Sequence, residues 1–326
     1  MLSLLLLAGG LVLLFVGGEL LVRGSVRLAA GLGISPLVIG LTVVGFGTST
    51  PELVTSVQAA LRDTPGIAIG NIVGSNIANI LLIVGLSALV FPIAIDSRGL
   101  KRDGAIMLAV AAVFAEQSAT MPLGRGIGLA FLAVLAIYLA AIVRIELRDA
   151  RRDRGAIFEK ARALEEADPQ LDPARPQRHP PLLSLGLCLV GLALLVLGGH
   201  LLVDGAVDLA RGLGISETVI GLTIVAVGTS LPELVTSLVA AIRREADVAF
   251  GNIVGSNIYN VLGIAGATAA ISPLTVPAEI VTFDNIAMVA VSAILLVFAW
   301  TGMRICRTEG AVLLAAYAGY IYLVWP

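Results

Sequence analysis

Long apolar segments separated by short polar ones occupy almost the whole chain. Ten of them are candidate membrane helices, at roughly 2–22, 35–61, 66–91, 104–118, 126–145, 182–203, 215–242, 247–271, 283–301 and 309–325. A helix needs about 20 predominantly apolar residues to cross a bilayer, and only the segment 104–118 is short for that. The pattern therefore predicts an all-α membrane protein with ten transmembrane helices.

The second half of the chain repeats the first half at an offset of 181 residues. No gap is needed between 38–85 and 219–266, and 31 of these 48 aligned positions are identical. Each copy holds five predicted helices. Because five is odd, the second copy must begin on the opposite side of the membrane. We therefore predict two inverted five-helix repeats, 1–146 and 182–326, joined by a polar loop at 147–181.

The distribution of Lys and Arg predicts how the repeats are oriented. With the N-terminus outside, 18 of the 21 Lys and Arg residues fall on the inner side, and only Arg62, Arg125 and Arg211 fall outside. Cytoplasmic loops carry the excess of basic residues in membrane proteins. We expect both termini outside and the loop 147–181 in the cytoplasm, with a helix at 156–167.

Composition supports a membrane protein and argues against other classes. The chain is 58% hydrophobic and 13% charged, with a mean hydropathy of +0.98 and a net charge of −2. It lacks the basic stripe or aromatic platform of a nucleic-acid-binding surface, and nothing in it indicates an obligate protein partner. Cys188 and Cys306 are far apart in sequence and lack metal-ligand spacing, so we interpret them as reduced packing residues.

Two acidic residues stand inside apolar segments in the same local sequence. Glu52 ends the stretch Gly-Thr-Ser-Thr-Pro-Glu, and Glu233 ends Gly-Thr-Ser-Leu-Pro-Glu. The proline lacks an N–H and interrupts the helix, so the carbonyls before it need another partner in hydrocarbon. Residues three and four apart share a helix face. Two hydroxyls should therefore lie beside each carboxylate, from Thr48 and Ser49 in one copy and from Thr229 and Ser230 in the other.

A stripe of small polar residues follows in the next helix of each copy. Its members are four residues apart and so share one face: Asn71, Ser75 and Asn79, with the counterparts Asn252, Ser256 and Asn260. Glycines at the same positions of both copies allow close helix approach. We expect this stripe to supply neutral oxygens that face the two glutamates.

These ligand types indicate a site for hard cations. Carboxylate, hydroxyl, amide and backbone oxygens suit Ca²⁺, Na⁺ or K⁺, whereas the His and Cys that softer metals prefer are missing from both motifs. An acid at the membrane centre costs about 2.5–3.5 kcal/mol on insertion scales, and neither the glutamate motifs nor the polar stripes contain a basic residue to offset it. Glu52 and Glu233 therefore need a bound cation or a proton. A pair of carboxylates that either ion can neutralise, but not both at once, is a physical basis for exchange.

At these residues the sequence resembles the cation/Ca²⁺ exchanger superfamily, most closely its prokaryotic sodium/calcium exchanger branch. The resemblance implies that Glu52 and Glu233 are the carboxylates shared by Ca²⁺ and Na⁺ and that Thr48 and Thr229 add backbone carbonyls. The flanking Na⁺ sites would be lined by Ser49, Ser230, Ser75, Ser256 and the carbonyls of Gly45 and Ala226, with Asn79 in the middle. It also implies a prokaryotic inner membrane location, Ca²⁺ extrusion driven by Na⁺, and a sliding pair formed by helices 1 and 6.

One departure from the family pattern leaves open which ion is coupled to Ca²⁺ transport. Many relatives carry Asp where this chain has Asn260, and the loss of one acid bears on ion stoichiometry and on any role of K⁺. A proton- or K⁺-coupled exchanger of Ca²⁺ or another divalent cation on the same scaffold is the alternative, and a passive channel is a further one.

An intramembrane hydrolase needs a paired nucleophile and base, and His200 has no motif serine beside it. We expect no enzymatic activity and no cofactor, with the lipid bilayer and the transported ions as partners.

Overall fold

A computed structural model describes residues 2–32, 34–95, 100–167, 181–212 and 226–324 of the chain. The helices of the first repeat are α1 (Leu2–Leu32), α2 in two halves (Pro36–Thr48 and Thr50–Leu61), α3 (Pro65–Val90), α4 (Leu100–Gly104 continuing into Ala105–Thr120) and α5 (Arg125–Ala167). The helices of the second repeat are α6 (Pro181–Gly212), α7 in two parts (Ala226–Thr229 and Leu231–Ile242), α8 (Ala246–Ile271), α9 (Ile280–Trp300) and α10 (Arg307–Val324).

Ten helical segments are therefore present among the described residues, one for each predicted apolar segment. Six are long and apolar enough to span a membrane by themselves, and the bent α2 makes a seventh. Helices α4 and α10 begin with charged residues, and the predicted residues 215–225 of α7 lie outside the described part. The short predicted segment 104–118 is extended by a π-helical turn at Leu100–Gly104, so the helix is longer than its apolar run.

The predicted loop between the repeats is in part helical. Helix α5 continues past the predicted segment 126–145 as far as Ala167 and includes the helix predicted at 156–167. Residues 168–180 of the predicted loop lie outside the described part of the chain. The boundary that we placed at residue 146 is thus inside a continuous helix, because charged residues that end an apolar segment do not prevent helix formation in water.

Helices α3 and α8 form the centre of the bundle. The most apolar window of α8 is 94% buried and that of α3 is 72% buried, whereas the windows of α1, α5, α6 and α9 are only 28–33% buried. A helix that must contact protein on all sides is central, and one that exposes most of its apolar surface faces lipid. The polar stripes predicted on α3 and α8 therefore lie in the interior of the protein.

Short extended segments link the two repeats at both ends of the bundle. Strand β1 (Ile93–Ala94) pairs antiparallel with β2 (Arg304–Ile305), and a single bridge joins Leu123 to Leu274. The offset of 181 residues relates Ile93 to Leu274 and Leu123 to Arg304, so the two pairings join equivalent segments of the repeats, with a register that differs by one residue. One joins two predicted inner loops and the other joins two predicted outer loops, as inverted repeats require.

Helices α1 and α6 pack against each other through glycines. A Cβ added at Gly10 would lie 2.8 Å from the carbonyl oxygen of Gly198, and one at Gly17 would lie 2.8 Å from that of Gly191. Glycine lets helix backbones approach closely, which is how membrane helices associate when lipid competes for apolar contact. The contact between these helices is continuous along their length, so α1 and α6 form one unit, which we call the α1–α6 pair.

Candidate ion-binding site

Both copies of the glutamate motif interrupt a helix at a serine. Helix α2 bends by 44° between its halves at Ser49, whose φ of −82° and ψ of 10° depart from the helix. Helix α7 restarts at Leu231 after Ser230, whose φ of −89° and ψ of 7° are nearly the same. Pro51 and Pro232 stand at the start of the second helical segments, where the missing N–H is tolerated. The predicted helix breaks are therefore present in both repeats.

The two breaks face each other through crossed hydrogen bonds. The hydroxyl of Ser49 donates to Oε1 of Glu233 at 2.7 Å, and the hydroxyl of Ser230 donates to Oε1 of Glu52 at 3.0 Å. All four side chains are buried, with Glu52 at 2% and Glu233 at 1% relative exposure. Each serine was expected beside the carboxylate of its own motif, three residues later. The structure instead pairs it with the carboxylate of the other repeat.

In each repeat, an asparagine of the following helix forms hydrogen bonds to the helix that carries the glutamate. The Asn71 amide donates to the backbone carbonyl of Glu52 at 3.1 Å and to the Ser56 hydroxyl at 2.9 Å. In the second repeat, Asn252 donates to the carbonyl of Glu233 at 3.3 Å and to Ser237 at 2.8 Å. Identical residues thus make identical contacts in the two repeats, and their amide N–H groups are directed at backbone and hydroxyl oxygens.

Four buried acceptor oxygens in this region have no hydrogen-bond partner among the described residues. They are the second carboxylate oxygens of both glutamates and two amide oxygens, namely Oε2 of Glu52, Oε2 of Glu233, Oδ1 of Asn79 and Oδ1 of Asn260. Buried polar atoms are almost always partnered, and leaving one unpartnered costs about 1–3 kcal/mol or more. Oxygens that only accept cannot satisfy one another, so the group needs a bound cation or another proton donor.

The composition of the site restricts which cation it fits. The described residues contain no cluster of three or more His, Cys, Asp and Glu side chains that could hold a metal ion. The site offers two carboxylates, and all its other donors are neutral oxygens. Such a donor set suits hard cations with flexible coordination, such as Ca²⁺ and Na⁺, better than transition metals.

Comparison with known proteins identifies the family. The sequence profile of the sodium/calcium exchanger protein family matches residues 2–144 and 183–325. The chain belongs to this family. It is therefore a transport protein and not an enzyme, and its fold has ten transmembrane helices in two inverted repeats. The two matched ranges are the two five-helix halves recognised from the 181-residue offset.

The chain is similar to prokaryotic proteins over most of its length. It is 35% identical over 346 residues to the sodium/calcium exchanger MaX1 of Methanosarcina acetivorans, with 98% of each chain covered. It is 35% identical to the inner membrane protein YrbG of Escherichia coli, covering 90% of this chain and 88% of that one. A structure of the sodium-calcium exchanger NCX_Mj soaked with Na⁺ and Ca²⁺ superimposes with a TM-score of 0.83 at 33% identity, covering 100% of this chain and 99% of that one.

The other predicted ligands lie around the same centre where the structure describes them. Thr48 donates from its hydroxyl to Oδ1 of Asn252 at 3.1 Å, and Ser256 donates to the Gly45 carbonyl at 3.4 Å. Ser75 and Ser230 lie with their hydroxyl oxygens 3.5 Å apart. The short helix Ala226–Thr229 brings the backbone of the remaining two predicted residues to the break in α7. Their roles as ion ligands stay a prediction.

Glycines bring the first half of α2 against α8 at this point. A Cβ added at Gly251 would lie 2.6 Å from the carbonyl oxygen of Leu37, and one at Gly255 would lie 2.5 Å from that of Leu41. Any side chain there would separate the two backbones. The close approach that the sequence predicted for these glycines is confirmed. For Gly70 and Gly74, the counterparts in α3, no described atom lies within 4 Å of an added Cβ.

Two sets of polar residues were missed by the sequence reasoning. Asn76 and Asn257 stand inside the repeated motifs but off the predicted stripe, and both are buried. Their identity in the two copies was the available signal. The second set consists of two Asp–Tyr contacts between neighbouring helices. The Tyr138 hydroxyl donates to Asp103 at 3.2 Å and the Tyr320 hydroxyl donates to Asp284 at 2.8 Å.

The two sides of the exchanger differ where the α1–α6 pair meets the rest of the protein. Arg243 at the end of α7 forms two hydrogen bonds to the carboxylate of Glu19 on α1, and a Cβ added at Gly18 would lie 3.0 Å from the Val235 side chain. The counterpart of Glu19 is His200 on α6. It lines a mostly apolar groove of about 470 Å³, which extends to Thr50 beside the site. The Glu19 side is therefore closed by contact with α7, whereas a surface groove lies beside His200 among the described residues.

Proposed function

We propose that the protein is a secondary antiporter that exchanges Na⁺ for Ca²⁺ across the membrane and normally extrudes Ca²⁺ from the cytoplasm. The observation that carries the proposal is the group of four unpartnered acceptor oxygens, two of which belong to carboxylates contributed by opposite repeats. A cation held there would contact both halves of the protein at once. Relatives of this chain include a sodium/calcium exchanger of nearly equal length.

The charge of the site supports exchange between the two ions. Ionised Glu52 and Glu233 together carry two negative charges, which one Ca²⁺ or two monovalent cations would balance. The remaining proposed ligands are neutral: Thr48, Thr229, Ser49, Ser230, Ser75, Ser256, Asn79, Asn260, and the carbonyls of Gly45 and Ala226. A pair of buried carboxylates without a cation is costly. The protein is therefore expected to switch access from one side of the membrane to the other only when Ca²⁺ or Na⁺ occupies the site.

Alternating access in this proposal comes from movement of the α1–α6 pair over the other eight helices. The pair is packed tightly within itself, and it is closed against α7 near Glu19 while it leaves a groove near His200. Sliding the pair would close the groove and open the opposite side. Inverted repeats permit this because each can adopt the conformation that the other has now.

The proposed topology puts both termini outside and the region 147–181 in the cytoplasm of a prokaryotic cell. The proposed domains are the repeats 1–146 and 182–326, on either side of that region. Contacts between predicted inner elements support a common inner side, since Arg307 donates to the carbonyl of Val90 at 3.4 Å and β1 pairs with β2. Accessibility of single cysteines in the loops to an impermeant thiol reagent would test the orientation.

The ion-coupling test uses purified protein in liposomes. Vesicles loaded with Na⁺ should take up ⁴⁵Ca²⁺ when external Na⁺ is removed, and uptake should collapse when Na⁺ is equal on both sides. The same vesicles with K⁺ or pH gradients, and no Na⁺, test the alternative of proton or K⁺ coupling. If only a K⁺ or pH gradient drives uptake, K⁺ or H⁺ is the coupling ion in place of Na⁺. If uptake depends on none of the gradients, the protein is not an exchanger.

A further inference from the structure

Asn257 on α8 is a buried amide at the centre of the protein that has not been assigned a role above. Its side chain is 2% exposed. Its Oδ1 accepts a hydrogen bond of 2.9 Å from the Asn79 amide nitrogen. Its own Nδ2 lies 3.5 Å from the carbonyl oxygen of Asn76 and 3.6 Å from Sδ of Met107. It therefore connects α8 to residues of α3 and α4.

The partners of Asn257 permit only one orientation of its amide. A backbone carbonyl oxygen and a thioether sulfur accept hydrogen bonds and cannot donate them. The amide NH₂ must therefore face Asn76 and Met107, because rotating the amide by 180° would bring its oxygen against two acceptors. Rotations of this kind are decided by the hydrogen-bond network. The network here leaves Oδ1 of Asn257 facing Asn79.

That orientation in turn determines the orientation of Asn79. An amide that meets the oxygen of Asn257 must present its NH₂ group, so its own oxygen points the other way. This oxygen is buried and has no partner among the described residues. We infer that Asn257, supported by Met107, is a positioning residue that holds the Asn79 amide with its oxygen toward the transported cation. The inference rests on the proposed function, in which Asn79 is a cation ligand.

The second repeat lacks this arrangement although it has the same residues. Asn76 is the counterpart of Asn257, but its amide donates to the carbonyl of Ile72 in its own helix at 2.7 Å. The counterpart of Met107 is Met288, which is buried. Within the described chain the Asn260 side chain makes no hydrogen bond. A hydrogen bond thus orients one central amide and none among the described residues orients the other, so the two repeats are not equivalent as ligands.

A double-mutant cycle on the full-length exchanger in liposomes tests the inference. Asn257→Leu should raise the KM for Ca²⁺ about 3- to 10-fold, the effect of one lost hydrogen bond, with little change in kcat. Asn79→Ala should raise it similarly, and the double variant should be no worse than Asn79→Ala alone, since the two residues act as one unit. The matched control is Asn76→Leu, which should leave the KM for Ca²⁺ unchanged.

Multiplication of the two single effects in the double variant would overturn the inference, as would an equal rise in KM for Asn76→Leu. Met107→Leu removes only the sulfur acceptor and keeps the apolar volume, so it should fold and raise the KM in the same direction by a smaller factor. An unchanged KM for Met107→Leu, together with independent effects of Asn257→Leu and Asn79→Ala, would reject the positioning of Asn79 by Asn257 and Met107. The cycle is measured with whichever gradient drives uptake, so a failure of Na⁺ coupling is seen separately in the wild-type protein.

Discussion

The Ser49 hydroxyl lies 2.7 Å from Oε1 of Glu233, although 184 residues separate them in the chain. With its counterpart between Ser230 and Glu52, this bond crosses the interface between the two repeats. Each carboxylate therefore has one oxygen that accepts a hydrogen bond from the opposite repeat and one oxygen without a partner among the described residues. A cation bound at the free oxygens would join parts of the protein that belong to different repeats, so ion binding and the relative position of the repeats are physically linked.

Replacing either glutamate by glutamine should abolish Ca²⁺ uptake. A unit charge about 4 Å from a cation contributes about 4 kcal/mol at an effective dielectric constant of 20, so Glu52→Gln and Glu233→Gln should each lower uptake more than about 100-fold. The measurement is initial ⁴⁵Ca²⁺ uptake into Na⁺-loaded liposomes. Glu116→Gln, at an exposed position of α4, is the control. Near-normal uptake in both site variants would exclude the pair from the site.

Removing a crossed hydroxyl should weaken Ca²⁺ binding without preventing transport. A hydrogen bond to a charged group contributes about 1.5–3 kcal/mol, so Ser49→Ala and Ser230→Ala should raise the KM for Ca²⁺ about 10- to 100-fold. The control is Ser87→Ala, because Ser87 is equally buried but its hydroxyl has no described partner. A comparable rise in KM for the control would show that the loss of any buried hydroxyl is responsible.

A methyl group in the contact between α1 and α6 should destabilise the protein. The Cβ of Gly10→Ala would lie 2.8 Å from the Gly198 carbonyl oxygen, and overpacking of this kind costs about 1–3 kcal/mol. Gly9→Ala is a control in the same turn, because no described atom lies within 4 Å of its Cβ. Thermal unfolding in detergent should show a lower midpoint for Gly10→Ala only. Equal midpoints would mean that the helices can separate at little cost.

Loss of the contact between Glu19 and Arg243 should favour separation of α1 from α7, and so opening of the protein on the Glu19 side. Exposed ion pairs contribute about 0.2–1 kcal/mol, so Glu19→Gln should increase the rate at which an impermeant thiol reagent labels Leu231→Cys, in a Cys306→Ser background, about 1.4- to 5-fold. Arg23 also contacts Glu19, but within the same helix. Arg23→Gln is therefore the control and should leave the labelling rate unchanged. An equal increase in both variants would rule out the interhelical contact as the cause.

The sequence by itself determined the ten-helix architecture, its division into inverted repeats and the position of both helix breaks. These properties follow from local and periodic features, namely apolar length, the 181-residue repetition and the missing N–H of Pro51 and Pro232. It also identified the residue types around Glu52 and Glu233, since an acid and hydroxyls are unusual in hydrocarbon.

Only the tertiary structure decided which of these residues meet. Spacing along one helix placed Ser49 beside Glu52, but the bend at the break turns its hydroxyl toward Glu233. The sequence also could not predict that Asn257 and Asn76 have different hydrogen-bond partners, since the two residues stand in nearly identical local sequence. Their hydrogen bonds depend on the neighbouring helices, and a repeated sequence does not require the two repeats to adopt the same conformation at the same time.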